Sequence, residues 1–597
     1  MYISRVQIKN FRNFKSLDLA LSKKTVLMGE NRAGKSNFIH ALRLILDPSL
    51  AERARHLKRS DFWDGLESPY ADGGSTIRID IDFKEFDSDD DILALMTDYR
   101  IPQDHNTARL SYCFQPNVVS GTNPSSQSDF EYSIFGGDDP TRSVQSRVRR
   151  RIALDLLGAL RDAEGDLSNW RKSPLSPLIE GAFNEIDIAQ LNAIAESIHT
   201  SSLELSDLPT ITTLETNLRT KLVHMSGERH DINGKLGVIS TDPSRLSRIL
   251  RLFIDGGIRE IGEASLGSAN LTLLSLKLAE YEWRREQNDQ DYTLVAIEEP
   301  EAHLHPQLQR RVFKTLLSET ESPSQGIIVT THSPIIASVT PLENIVLFRD
   351  SAEQGTVGYT LSNLAIDPDI MNDIQGYLTA TRAEILFSAG VIFVEGPAEA
   401  SLLPAFALSI GVDLDDKGIT VCSVDSANFI PYVKFALALG LPFSIITDWD
   451  PQGTNKALGW ARAYELLDLH REALGEGNWT AEGLAQLNQD EPILRATAVK
   501  YGVFLNSSTL EIEMAQSPEL ANSILQVLAQ QESFGSVLKG RIANFQSDHS
   551  QIDTGQLMLM IGYVGKGRFA RQLSDNIGNA KPPAYIQDAI AYVVGKL

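Results

Sequence analysis

The stretch GENRAGKS, Gly29 to Ser36, constrains this chain more than any other part of it. It follows the apolar run TVLM and leads into NFIHALRLIL, so it reads as a G-x-x-x-x-G-K-S loop between a strand and a helix. Glycines let the backbone N–H groups turn toward phosphate oxygens, and the start of the helix adds the positive end of its dipole. Gly29, Asn31, Gly34, Lys35 and Ser36 are therefore expected to hold a nucleotide, with Lys35 on the β- and γ-phosphates and Ser36 on Mg²⁺. Two later strand tips supply partners. YTLVAIEEP ends in Glu298 and Glu299, one carboxylate for the water shell of Mg²⁺ and one to orient an attacking water. GIIVTTHSP delivers His332, which can sense or polarise a γ-phosphate. A lone histidine is more often a surface or capping residue; the strand-tip setting favours the functional reading.

At 597 residues the chain exceeds one hydrophobic core, so two or more domains are expected. No apolar run is long enough to cross a bilayer, and MYISRVQIKNFRNF does not read as a signal peptide, so a cytoplasmic protein with no membrane partner is expected. Cys113 and Cys422 are too few for a disulfide framework or a cysteine zinc site. A net charge of −23 excludes a general polycation but leaves room for a local basic groove. The basic clusters at Arg53, Arg55, Lys58 and Arg59, and at Arg147 and Arg149 to Arg151, read as solvated helix faces.

Periodicity predicts strands over ISRVQIKNF, SLDLALSKKTVLMG and IRIDIDF, with NFRNF as a turn. Residues 116–145, rich in Gly, Ser, Asn, Pro and Asp, are expected to form a mobile loop. From about 147 the pattern turns helical, with a helical insertion over 170–235. LGVIS, NLTLLSLKLAEYEWRRE, YTLVAIEEP, GIIVTTHSP and NIVLF resume a mixture of strands and helices. A connector near 364–373 precedes a second alternating α/β region reaching the C-terminus.

The second region carries acids. VIFVEGPAEA places Glu395 at a strand end and Glu399 on the following helical turn. Alone, the pair could simply complement a helix dipole. FSIITDWD adds Asp448 and Asp450 on one side of an extended tip, GVFLNSSTLEIEMA is read as a strand leading to Glu511 and Glu513, and GYVGKGRFARQL sets Lys566 and Arg568 in a glycine-rich turn. Carboxylates gathered at one edge of an α/β sheet repel one another and call for cations between them. Two Mg²⁺ or Mn²⁺ ions would satisfy them and clamp a phosphodiester, with Lys566 against the developing charge.

The first set of motifs resembles the ATP-binding-cassette family, especially its structural-maintenance-of-chromosomes-like branch, whose opening is similar to the strand before NFRNF. That resemblance implies ATP held between two heads, with ASLGSANL as the signature loop through Ser265, Gly267 and Ser268. The chain departs from the family in a degenerate signature, in Glu298 where Asp is commoner, and in lacking sustained heptads for coiled-coil arms. The glutamine that usually contacts Mg²⁺ has no clear counterpart.

Glu395 with Asp448 and Asp450 resembles the Toprim pattern, and the whole order of motifs is similar to the OLD (overcoming lysogenization defect) nuclease family, class 1. The resemblance implies an α/β chain with an ABC-type ATPase domain, a helical dimerisation insert and an α/β Toprim domain. The boundaries expected are 1–169 and 236–370 for the ATPase, 170–235 for the insert and 371–597 for Toprim. It implies an ATP-regulated DNA endonuclease or nickase with one metal ion beside ATP and two at the Toprim site. Glu395, Asp448 and Asp450 would bind one ion, and Glu399, Asp448 and Glu511 or Glu513 the other, with Lys566 assisting. Arg161 and Asp162 are expected to be structural or interdomain. Implied partners are DNA, a second or further copies of the chain as homodimer or tetramer, and a defence partner such as a helicase-like protein or a retron reverse transcriptase with its nucleic acid. The rival readings are a DNA repair or loading ATPase without nuclease activity, and a defence scaffold acting through a partner.

Overall fold

The computed structural model describes the whole chain except residues 67, 70–73, 88, 118–123, 125, 160–162, 171, 227–234, 237–241, 288–289, 320–324, 352, 361–367, 380–381, 454 and 478. Its fold is mixed α/β and is organised by two separate sheets. The larger has 12 described strands. Its middle is parallel: Ile345–Ser351, Lys24–Gly29, Gln325–Thr330, Tyr292–Glu298 and Ile152–Leu157 lie side by side. These are the strands written as apolar runs, because helices and neighbouring strands cover both faces. Val26, Leu27 and Met28 have no exposed surface. An antiparallel wing built on Tyr2–Phe11, Phe14–Ala20, Ile77–Lys84 and Asp104–Pro116 closes over the helix Lys35–Leu46 through one apolar cluster.

The second sheet has four parallel strands in the order Ile419–Ser423, Gly390–Val394, Phe443–Thr447, Val503–Leu505. Parallel neighbours need crossovers, and the helices Pro397–Ser409 and Ile430–Ala438 supply them. A single core runs from Met28 and Val329 in the first sheet to Val391 and Phe393 in the second. Arg349 reinforces this seam. It sits on the strand beside the Gly29 strand and donates to the carbonyls of Ser388 (3.0 Å) and Ala389 (2.8 Å), just ahead of Gly390–Val394.

Several expectations change. SLDLALSKKTVLMG is two strands, Phe14–Ala20 in the antiparallel wing and Lys24–Gly29 in the parallel middle. Residues 116–145 contain the strand Phe130–Gly136, paired to Asp104–Pro116 along its length; its alternating Phe130, Ile134 and buried Gly136 were hidden among polar neighbours. The helical pattern from 147 lasts only over Ser146–Arg151 before the buried strand Ile152–Leu157. The proposed connector near 364–373 includes the helix Pro368–Tyr377, and its first residues, like most of LGVIS and both Arg161 and Asp162, lie outside the described residues. After Leu505 the chain is helical, not alternating. The basic clusters are partly structural: buried Arg55 donates to the carbonyls of Leu44, Asp47 and Leu50, and Arg151 pairs with Asp291. Helices Leu175–Asn184, Ile188–Leu203 and Pro209–Ser226 follow, and they leave Ile188, Ile194, Leu214 and Leu218 exposed. Among the described residues no helix is long and apolar enough to cross a membrane.

Candidate phosphate and metal sites

The loop after Lys24–Gly29 turns as its glycines allow. Gly29 has φ +141° and Gly34 φ +89°. A side chain at Gly29 would strike the Phe348 carbonyl of the adjacent strand, and one at Gly34 would strike Asn13. Asn13 belongs to the NFRNF turn, which therefore braces the loop: Asn37 donates to Asn13 (2.7 Å), and Arg12 donates to Asn37 (2.8 Å). Lys35 is the buried first residue of the helix. Its ammonium donates to the carbonyls of Gly29 (2.8 Å) and Glu30 (2.9 Å). Burial lowers its pKa to about 8, against the pull of Glu299, Glu301 and Glu30. Asn31 and Ser36 are exposed.

Glu298 ends its strand, and Glu299 turns with φ +47° while its N–H donates to Thr330 (3.0 Å). His332 Nε2 lies 3.9 Å from Glu299 Oε1. Burial, then Lys35, lowers the His332 pKa, so the neutral ring is favoured. The structure thus brings Lys35, Glu299 and His332 into one electrostatic neighbourhood. It adds Glu301, which sequence reading passed over. One oxygen of Glu301 accepts from the Thr331 hydroxyl (2.8 Å) and the His332 N–H (2.9 Å), while the other is buried without a partner. Burial raises its pKa.

Ser265 caps the helix Leu266–Glu286, its hydroxyl accepting from Ser268 N–H (3.2 Å). Gly267 lies under the His303 carbonyl, where a Cβ would come within 2.7 Å. The segment packs against the loop that follows Glu299. Among the described residues no hydrogen bond joins Ser265 or Gly267 to Gly29–Ser36.

The second sheet presents its acids at one edge. A cleft of about 560 Å³ is lined by Glu395, Glu399, Asp425, Asp448, Glu511 and Lys566. Glu395 follows the fully buried strand Gly390–Val394, and its Oε1 accepts from the Thr447 hydroxyl and the Asp448 N–H (2.9 Å). Glu399 is on the first turn of Pro397–Ser409. Asp448 follows Phe443–Thr447 and accepts from the Asn506 amide. Lys566 Nζ is 3.1 Å from Glu511 Oε1.

Three placements depart from the sequence expectation. Asp450 does not share an extended tip with Asp448: it has φ +50°, and Trp449 between them is buried. Its carboxylate faces Arg462 on the helix Leu458–Ala473, and it is not among the residues lining the cleft. Glu511 and Glu513 are on a helix, Leu510–Ala515, not on a strand. Glu513 turns away to accept from Ser507 N–H (3.1 Å) and its hydroxyl. Lys566 is the first residue of a helix that starts after Gly565, φ +88°.

This cleft is electrically strained. Burial, then the charges of Glu511 and Glu395, raises Glu399 to about 7. Burial, then Glu395, raises Asp448 to about 7. Burial works against the Lys566 charge, but Glu511, Asp448 and Glu399 outweigh it and hold its pKa above the usual lysine value. Like charges at this density push side chains apart, and among the described residues no three Asp, Glu, His or Cys side chains close on one point as an ion's ligands do.

Comparison with known proteins follows the same division. The AAA ATPase domain family matches residues 1–136 and 151–337. The TOPRIM domain of overcoming lysogenization defect protein-like chains matches residues 386–450. The uncharacterized protein YbjD of Escherichia coli (strain K12) is 26% identical over 494 residues, 79% of this chain and 83% of that protein. The OLD nuclease of Thermus scotoductus (strain ATCC 700910 / SA-01) is 24% identical over 467 residues, 75% of this chain and 82% of that protein. The solved C-terminal region of the Burkholderia pseudomallei OLD protein is 35% identical, covers 35% of this chain and 98% of that region, and has a TM-score of 0.32.

Proposed function

This chain belongs to the AAA ATPase domain family and joins that domain to a TOPRIM domain of the OLD type, and from that premise we propose that it is an ATP-regulated, divalent-metal-dependent DNA endonuclease or nickase serving in defence against phage. The observation that carries this reading is the cleft at the second sheet edge. Glu395, Glu399, Asp448 and Glu511 line it together with Lys566.

The donor set fits a hard divalent cation. Every candidate ligand is a carboxylate oxygen, the donor that Mg²⁺ and Mn²⁺ prefer. The pKa values of Glu399 and Asp448 are raised first by burial and then by neighbouring carboxylates, and bound cations would favour their ionised forms against both. Glu399, Asp448 and Glu511 would hold one ion, and Glu395 with Asp450 lies beside them for a second. When bound, the ions would polarise a phosphoryl oxygen and lower the pKa of a water. Lys566 stands at the cleft's rim with its charge secured by Glu511, where it can meet the phosphate of an incoming strand. Burial of the strand tips behind Glu395 and Asp448 holds these side chains at fixed positions.

At the other site Lys35 would take the phosphates, Ser36 and Glu298 the accompanying ion, Glu299 the attacking water, and His332 the γ-phosphate. We assign 1–169 and 236–370 to the ATPase, 170–235 to a dimerisation insert and 371–597 to the nuclease part. The exposed Ile188, Ile194, Leu214 and Leu218 on the helices of the insert support a self-associating surface.

The test is a supercoiled-plasmid assay with Mg²⁺ or Mn²⁺, run beside phosphate release from ATP. Asp448→Asn and Lys566→Ala should lose nicking and keep ATP turnover, and Lys35→Ala should lose ATP turnover. Nicking that survives both Toprim substitutions would sink the assignment.

A further inference from the structure

Arg462 belongs to no motif in the sequence, yet its guanidinium bridges the two strand-tip acids Glu395 and Asp450. From the helix Leu458–Ala473 its guanidinium donates to Glu395 Oε1 (2.8 Å), to Asp450 Oδ2 (2.6 Å) and to the carbonyl of Asp448 (2.6 Å). Only 14% of its side chain is exposed. Two of the three acids that define the strand-tip pattern are thus already paired, and by one residue. Of the remaining cleft acids, Asp425 pairs with Arg382 and Glu511 with Lys566, while Glu399 and Asp448 make no side-chain ion pair with Arg462.

We propose that Arg462 is the site's built-in cation: it occupies the Glu395–Asp450 half, so the cleft takes one divalent ion tightly on the Glu399, Asp448 and Glu511 side and a second only when the guanidinium is drawn away. The inference rests on the metal-dependent reading of the cleft. Its physical basis is competition. A planar guanidinium spans two carboxylates with parallel donors and keeps its charge at any working pH. An ion entering between Glu395 and Asp450 must displace that charge or sit against it. The arrangement also fixes geometry, since Arg462 ties the turned Asp450 back to the strand tip from which Asp448 emerges. Arg462 is accordingly a positioning residue that sets the order of ion binding.

Manganese binding to the full chain, followed by electron paramagnetic resonance without nucleotide, reads this directly. Wild type should bind one Mn²⁺ tightly and a second at least tenfold more weakly, with no spin coupling until the second enters. Arg462→Gln should tighten the second ion by on the order of tenfold and bring coupled ions in at lower concentration. Arg462→Lys keeps the charge without the two-carboxylate fork and should shift the second ion in the same direction by less. Thermal unfolding monitors folding, and if Arg462→Gln does not fold, Arg462→Lys decides. Unchanged stoichiometry and affinities in the folded variants overturn the inference while leaving the nuclease reading intact. Wild type that binds no Mn²⁺ overturns both.

Discussion

The two strand-tip sites are electrostatic opposites. At the phosphate loop a single ammonium, Lys35, is buried among carbonyls, and its pKa falls to about 8. At the second sheet edge carboxyls are crowded together, and two of them rise to about 7. Each site holds its own charge at a cost, and the sign of that charge names the ligand that would relieve it: phosphate at the first, a divalent cation at the second. Both sites are tied down, by different means. Lys35 opens a helix whose preceding loop abuts Asn13 and Phe348, whereas the acids stand on four elements cross-linked at their tips through Glu395 to Thr447 and Asp448 and through Glu511 to Lys566.

The largest effects should divide cleanly between the sites. Lys35→Ala should lower ATP turnover about 100-fold or more while Mn²⁺ still binds the acidic cleft. Glu399→Gln should lower nicking by a similar factor with ATP turnover within about twofold of wild type. Phosphate release and plasmid relaxation, measured on the same preparations, would break the comparison if either substitution removed both activities.

The opposite signs should next appear in stability. Asp448 moves from 3.8 to about 7, so between those values the folded protein holds a proton that the unfolded chain has released. Its contribution is complete below the lower value and is lost as pH rises through the upper one. Lys35 moves from 10.5 to about 8, so there the unfolded chain holds the extra proton, and the cost of its charge fades as pH rises through that window. Thermal melts in chelator, wild type against Asp448→Asn and against Lys35→Met, should therefore diverge in opposite directions, by at most about 3–4 kcal/mol across each window. Parallel curves would remove the contrast.

A smaller effect should follow from Glu301. Glu301→Gln keeps the shape but weakens the grip on Thr331 and His332, and ATP turnover should fall about tenfold with ATP affinity retained. The smallest effect belongs to Glu513. Because it caps Ser507, Glu513→Gln should change nicking less than about threefold, whereas Glu511→Gln should abolish it. Equal losses would place both acids in the cleft.

The phosphate loop was legible because everything it needs is contiguous: strand, glycines, lysine, helix. Glu395, Glu399 and Asp448 were legible because strand ends are marked by a run of buried apolar residues. Arg462, Glu301 and Asn506 were not, since each acts on groups 12 or more residues away and sits in an ordinary helix or loop context. The strand's twofold alternation stops at Thr447, and Asp450 itself takes a left-handed backbone, so the two-residue spacing does not set it beside Asp448. A strand sets Glu511 and Glu513 on one face, but on the helix Leu510–Ala515 residues two apart face different ways, so Glu511 enters the cleft and Glu513 turns to Ser507. The strand Ile152–Leu157 was masked by the run of arginines before it.

Arg349 gives the molecule a splint. It lies one residue beyond Phe348, the backbone neighbour of Gly29, and it clasps the peptide units that introduce the strand ending at Glu395. With apolar packing continuous across the same boundary, the route from phosphate loop to acid cleft is a weld where a swivel would have been easy to build. Without the Arg349 guanidinium, that boundary would rest on apolar packing with two fewer hydrogen bonds across it.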